Sequence, residues 1–343
     1  MKNNNRCSQF QLSALAIVCL FYSLQASAVE YTITNLGMLG GSSSHALGIN
    51  NSGQVVGQSY TTGDTTAHAF LYSNGTMTDL GTLYDAYSIA RGINSSGQVE
   101  VEVYNTSGFA RSFLYSNGGM TDLGTLGPPN TSAIHATAIN DSGQVVGYSS
   151  NLLNNHAFIY SNGVMADLSN LMGLDYLVPH GINNAGEIVG YIGNEAFLFS
   201  QGSVSILGNG AAMGVNNLGQ VVGYTSDSHA FLYSGGVMQD LGTLGVAEAI
   251  NDLGQVVGQG STAFLYSDGV MHDLNSYLPA NSGWSLETAR AINSNGQIVG
   301  VGVFNGQSLA YLMTPIPLPA AFWLFSSGLA GLCGVVRRCR VRR

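Results

Sequence analysis

Cysteine is missing from the whole middle of this chain. The four present are Cys7, Cys19, Cys333 and Cys339, so residues 29–314 can form neither a disulfide nor a thiolate metal site. Positive charge is nearly as scarce there, since only Arg91, Arg111 and Arg290 face all nineteen carboxylates. Such a surface disfavours DNA and RNA phosphates and leaves calcium and neutral glycans open as ligands. Also absent are a nucleophile elbow, an HExxH pair, a phosphate loop and an EF-hand loop. No catalytic, cofactor-binding or metal-binding residue is therefore assigned, no cofactor is called for, and the chain reads as a non-enzyme. A disordered acidic tail is excluded as the main body, because 45% of the residues are hydrophobic and only 8% are charged. Forty-six glycines and seventeen tyrosines indicate many tight turns between short strands, hence an all-β class.

Those strands come in repeats. INNSGQVVG at Ile49–Gly57 returns, with small changes, from residues 93, 139, 182, 215, 250 and 292. A second unit, HAFLYSNG at His68–Gly75, and a third, MTDLGTL at Met77–Leu83, follow most copies. Asn followed three residues later by Gly makes a turn that joins two strands. Asn74-Gly75, Asn117-Gly118 and Asn162-Gly163 are two-residue hairpin signals of the type I′ kind. Up to four short strands per repeat match the size of a propeller blade. The segment Tyr31–Gly41 is a displaced copy of the third unit, and the last repeat lacks that unit. This offset predicts a seven-bladed β-propeller of four-stranded repeats, its ring closed by the N-terminal strand, with a β-solenoid as the alternative. The fourth repeat, Ile182–Gly214, lacks a full DLGTLG and is expected to give a reduced blade.

Residues 1–28 read as a secretory signal helix: Lys2 and Arg6 begin it, Leu12–Leu24 is mostly apolar, and Ala26 and Ala28 frame the cleavage site. Residues 315–343 form a tail in which 318–336 carries no charge, long enough for a transmembrane helix across about 30 Å of hydrocarbon. The basic stretch 337–343, with Arg337, Arg338, Arg340, Arg342 and Arg343, holds that end in the cytoplasm. Both ends imply export across the inner membrane, with transient anchoring there. A permanent tail anchor is the alternative.

The tail PIPLPAAFWLFSSGLAGLCGVVRRCRVRR resembles the PEP-CTERM type of sorting signal in a Pro-Leu-Pro-Ala variant, with Pro317, Leu318, Pro319 and Ala320 at the motif. That resemblance implies an exosortase as partner, removal of the tail, and a cell-surface or extracellular setting alongside exopolysaccharide. The departure from Pro-Glu-Pro leaves the exosortase subtype open. Residues 29–314 resemble the bacterial extracellular HAF repeats, named for the His-Ala-Phe of HAFLYSNG.

His68, His156 and His229 share one phase of the repeat, and Asp79, Asp122, Asp167, Asp240 and Asp273 another. A residue present once per repeat solves a recurring structural problem, whereas a catalytic residue is needed once. Departures from the repeat are better candidates. VEVEV replaces VVGYS at Glu100 and Glu102, either as an edge strand protected by charge or as a ligand or calcium site. Trp284, in the insertion Leu278–Leu286, either stacks on a sugar or belongs to the core. Three functions follow: an exported structural or adhesive protein of an exopolysaccharide matrix, a glycan- or peptide-binding propeller, or a polysaccharide hydrolase or lyase on the same scaffold.

Overall fold

Each Asn-Gly dipeptide between HAFLYS and the next strand turns as its sequence dictates. Asn74, Asn117 and Asn162 have φ of 50°, 52° and 52°, and the following glycines 82°, 82° and 84°, the left-handed pair of a type I′ turn. The Ile-Asn turns are built from one side chain. Asn50 Oδ1 accepts from Ser52 N–H (3.1 Å) and Gln54 N–H (3.0 Å), and Gly53 closes the turn onto the Asn50 carbonyl (3.0 Å). These turns, repeated along the chain, fold it into short antiparallel ladders.

The computed structural model describes residues 30–83, 85–126, 132–150 and 155–316. After β1 (Tyr31–Asn35) come β2 (Gly40–Ile49), β3 (Val55–Thr61), β4 (Ala67–Ser73) and β5 (Thr76–Gly81), paired in that order as one sheet. The second sheet is β6 (Asp85–Ile93), β7 (Val99–Asn105), β8 (Ala110–Ser116) and β9 (Gly119–Asp122). The third is β10 (Ala133–Ile139), β11 (Val145–Ser150), β12 (Asn155–Ser161) and β13 (Val164–Asp167), followed by the short helix α1 (Leu168–Met172). Next are β14 (Leu177–Ile182), β15 (Ile188–Ile192), β16 (Glu195–Ser200), β17 (Ser203–Val215), β18 (Val221–Thr225), β19 (His229–Ser234) and β20 (Val237–Leu244), a single seven-stranded sheet. A further sheet holds β21 (Val246–Ile250), β22 (Val256–Gln259), β23 (Ala263–Ser267) and β24 (Val270–Asp273). A 3₁₀ turn (Leu274–Tyr277) leads to β25 (Trp284–Ile292), β26 (Ile298–Phe304) and β27 (Gln307–Pro315), with β1 as the fourth, outer strand beside β27.

The result is an all-β propeller with five discrete four-stranded blades and one seven-stranded sheet, which corrects the expectation of seven separate four-stranded blades. The cause is the shortened fourth repeat. Without the DLGTLG connection, β17 leaves β16 as an outer strand at Asn209 and runs straight on from Gly210 beside β18 as an axial strand. Gly208 and Gly210, at φ of 140° and 134°, make that passage. The solenoid alternative is overturned as well, because the first and last strands of the chain share one sheet.

No single core exists. Apolar clusters sit between successive sheets, such as Val56, Ile93, Val99, Val101 and Phe113 between the first and second, and Val146, Leu177, Ile188 and Phe197 between the third and the seven-stranded sheet. Residues Thr32–Pro315 are one compact unit. Of the other unit, Met1–Tyr31 with Ile316–Arg343, the described residues show Ile316 N–H donating to the Glu30 carbonyl at 2.7 Å. The signal segment with Ala26 and Ala28, the Pro317–Ala320 motif, the 318–336 stretch and the arginines of 337–343 lie outside the described residues. Among the described residues no helix is long and apolar enough to cross a membrane.

Candidate functional site

The first strand of each repeat lines the central axis, and its two ends differ in kind. At one end the turn asparagines join hands. Asn50 Nδ2 donates to the Asn94 carbonyl (3.1 Å), Asn94 to Asn140 (3.1 Å), Asn140 to Asn183 (3.0 Å), Asn183 to Asn216 (2.9 Å), Asn216 to Asn251 (3.0 Å), Asn251 to Asn293 (3.0 Å), and Asn293 back to Asn50 (3.0 Å). All seven are buried, and each Oδ1 is spent on its own turn. Donors and acceptors are thus used up on structure. The cavity at this mouth, about 240 Å³, has a polar wall whose groups mostly bond one another.

A collar of aliphatic residues including Ile49, Ile93, Ile139, Ile182, Val215 and Ile250 separates it from a second cavity of about 240 Å³ at the other mouth. Here every axial strand carries a β-bulge at the same place. The ladders skip one residue between Ala46 and Gly48, Ala90 and Gly92, Ala136 and Ala138, Pro179 and Gly181, Ala212 and Gly214, Ala247 and Ala249, and Ala289 and Ala291. The skipped residues are Leu47, Arg91, Thr137, His180, Met213, Glu248 and Arg290. A bulge re-aims a side chain out of the pleat, and the first six of these line the second cavity. In six of the seven repeats the glycine of VVG lies opposite in the adjoining strand, and in the second repeat Val101 takes that place. A Cβ on Gly57, Gly147, Gly190, Gly223, Gly258 or Gly300 would stand 1.9–2.1 Å from a carbonyl oxygen of the axial strand.

Glu100 and Glu102 belong to β7, an interior strand between β6 and β8, so the edge-strand reading of VEVEV is overturned. Both carboxylates are buried, at 0% and 1% exposure. Alternation along β7 turns them to the face opposite Val99, Val101 and Val103, toward the third sheet. Glu102 is the hub of a cluster. Arg91 Nε and Nη2 both reach Glu102 Oε2 at 3.2 Å, and His135 Nδ1 bonds Glu102 Oε1. Burial pushes the Glu102 pKa up, but the His135 bond and the Arg91 charge outweigh it and leave it below the ordinary value. Glu100 is the reverse case. Neither oxygen has a partner of normal hydrogen-bond geometry. Burial, then the charge of Glu102, holds its pKa well above the ordinary carboxylate value, and Arg91 offsets this only in part. Glu100 is thus enclosed without a partner, whereas Glu102 is engaged by Arg91 and His135.

Aromatic rings surround this hub. Tyr87 stacks on Tyr104 (centroids 4.1 Å apart), Tyr104 lies 6.4 Å from His135, and His135 stacks on Tyr148 at 4.8 Å. Burial, then the Glu102 charge, raises the pKa of Tyr104 and of Tyr148, so both phenols remain donors. Tyr148 neighbours Tyr191, whose ring meets that of the bulge residue His180 edge-on at 5.3 Å. Burial holds the His180 pKa down, leaving a neutral imidazole whose Nδ1 faces the Ala212 carbonyl at 3.2 Å. Elsewhere on the axis Arg290 Nη1 pairs with Glu248 at 2.5 Å, and burial raises the Glu248 pKa.

The remaining sequence candidates fall elsewhere. Trp284 stacks on Phe304 (4.9 Å) and meets Tyr311 edge-on (6.2 Å), away from β7 in the chain and half-buried. His68, His156 and His229 pair with Asp79, Asp167 and Asp240 at 2.9, 3.2 and 2.9 Å, and Arg111 pairs with Asp122 in the same way. The same aspartates accept from the backbone N–H groups of Gly81, Gly124, Asn170 and Gly242, and Asp273 accepts from that of Asn275. Recurrence thus has a recurring structural use. Among the described residues no group of three or more His, Cys, Asp and Glu converges as metal ligands would. The bulge residues and His135 escaped the sequence reading. Their signal was the one variable column inside an otherwise uniform Ala-x-Gly/Ala-Ile-Asn stretch.

No family model matches the chain, and no curated protein matches it. Solved structures do. An oligogalacturonate lyase in complex with manganese is similar with a TM-score of 0.56 and 11% identity, over 84% of this chain and 94% of that one. YCF48 bound to D1 peptide has a TM-score of 0.52 at 11% identity, over 85% and 98%. The β-propeller domain of the trilobed protease from Pyrococcus furiosus, described as an open velcro topology, has 0.50 at 9%, over 79% and 93%. At these identities the likeness shows the propeller fold alone.

Proposed function

We propose that this chain is a non-catalytic binding propeller that takes its ligand at the bulge-lined mouth of the axis. One observation carries the reading. Every repeat reproduces its Asn-x-x-Gly turn, and six of the seven keep a buried valine and glycine behind it, while the bulge residue changes from Leu47 to Arg91, Thr137, His180, Met213 and Glu248, which line the cavity, and to Arg290. A scaffold that varies chiefly at its axial side chains presents a composite surface there, with Arg91, Thr137, His180 and Glu248 set among Leu47, Met213 and the aliphatic collar.

The setting we propose is outside the inner membrane, in an exopolysaccharide matrix, after export and exosortase processing of a PEP-CTERM-like tail on a HAF-repeat protein. The signal pattern of residues 1–28, the likeness of the tail to PEP-CTERM signals and the likeness of the repeats to HAF repeats support it. Purified protein incubated with the producing organism's exopolysaccharide is expected to co-sediment without releasing new chain ends. Arg91→Ala is expected to weaken retention about tenfold, equivalent to ~1.4 kcal/mol. New reducing or unsaturated ends would replace this reading with a hydrolase or lyase. Neither retention nor cleavage would leave a passive surface protein.

A further inference from the structure

Resting on that binding reading, we infer that the ligand is an uncharged saccharide chain laid along the aromatic row from Tyr87 through Tyr104, His135, Tyr148 and Tyr191 to His180. The row crosses three consecutive sheets: Tyr87 and Tyr104 stand on β6 and β7, His135 and Tyr148 on β10 and β11, His180 and Tyr191 on β14 and β15. It starts in the open, with Tyr87 40% exposed and its ring already stacked on Tyr104, and it ends at the axial cavity that His180 lines. The four inner members besides His180 are half-buried residues, held in place by their packing and not wholly enclosed. Pyranose rings present flat C–H faces and hydroxyl edges. Fixed tyrosines and imidazoles supply the matching apolar faces, with polar tips, at little entropic cost on binding.

Charge selects among glycans. The carboxylate among these rings, Glu102, is enclosed and already engaged by Arg91 and His135. Arg91, Arg111 and Arg290, the cations of residues 29–314 apart from histidine, are each paired to a carboxylate. The rest of the nineteen carboxylates give the domain a strongly negative field that repels a polyanionic chain. An uncharged chain escapes that repulsion.

The test is titration calorimetry of the full protein with oligomers of β-1,4- and β-1,3-linked glucose, and with oligogalacturonate as the charged counterpart. Binding to a glucose oligomer is expected, weakened at least fivefold by Tyr87→Ala and by Tyr148→Ala. Tyr87→Phe should retain it, and Tyr60→Ala, a comparably exposed tyrosine off the row at 38%, should leave it unchanged. Thermal melts matched to wild type exclude misfolding, which Tyr87→Phe controls independently. Glucose-oligomer binding indifferent to both alanine variants overturns the row. Preference for oligogalacturonate that is lost in Arg91→Ala also overturns the row but preserves the binding propeller. Binding to no saccharide, together with no retention on exopolysaccharide, overturns both.

Discussion

Glu100 stands where the six other repeats place Val56, Val146, Val189, Val222, Val257 and Val299, all fully buried. A carboxyl group at such a place without a partner costs about 1–3 kcal/mol. Its folded-state pKa is raised above 4.5, so the folded protein holds this proton more tightly than the unfolded chain does. The contribution to stability is therefore greatest below pH 4.5 and falls as the pH climbs from there toward the raised folded value. Glu100→Val should stabilise the protein by about 1–3 kcal/mol at neutral pH and by much less near pH 4, read as the difference between wild-type and variant melts at each pH. A gain that does not change with pH would mean that the Glu100 pKa is not shifted by folding. The sequence marked this residue by its departure from valine, but the pattern VEVEV cannot distinguish an edge from an interior strand, and the edge assumption failed for that reason. His135 and Arg91, which decide what Glu102 does, are 33 and 11 residues away in sequence and carry no local signal.

Turns were the most legible elements, because the chemistry of Asn-Gly and Asn-x-x-Gly is local. What local chemistry could not show is that each Asn also bonds the next repeat. Asn140 donates to Gln144 (2.8 Å) and to the Asn183 carbonyl, and accepts from Ser142 and Gln144 N–H groups. Asn140→Ala should cost at least about 1–3 kcal/mol, since buried backbone donors lose their acceptor. Asn140→Asp keeps the turn acceptor yet sets a carboxylate against the Asn183 carbonyl, and it should be destabilising too. Urea unfolding checks both, and a neutral Asp variant would show that the ring bonds contribute nothing beyond the turn. Bulges were illegible for a different reason. Skipping a residue in the ladder changes which way a side chain faces without changing the order of apolar and polar residues.

The offset of the third repeat unit to the N-terminus was a readable sign of how the chain meets itself, and β1 does pair with β27. Leu36 N–H donates to the Ala310 carbonyl at 3.1 Å, and the Leu36 side chain packs with Val299, Ala310 and Leu312. Removing residues 30–36 should bare the β27 edge and lead copies to pair there. Size-exclusion chromatography is expected to show oligomers, dispersed by adding the YTITNL peptide; a monomer with an unchanged melt would deny β1 its closing role. Blade number was misread because sequence periodicity counts repeats, whereas sheets are set by where the chain can break, and the short fourth repeat gave β17 nowhere to do so.

The bond from Asn293 to Asn50 is the same length as its counterparts within 0.1 Å, from 2.9 to 3.1 Å around the ring. The asparagine circle therefore has no seam, and the place where the polypeptide starts is an accident of covalent order. A circularly permuted gene, with the native ends joined and new ones opened between any two blades, encodes the same circle. The stretch through β17 is the exception, since cutting there severs one strand that serves two neighbours.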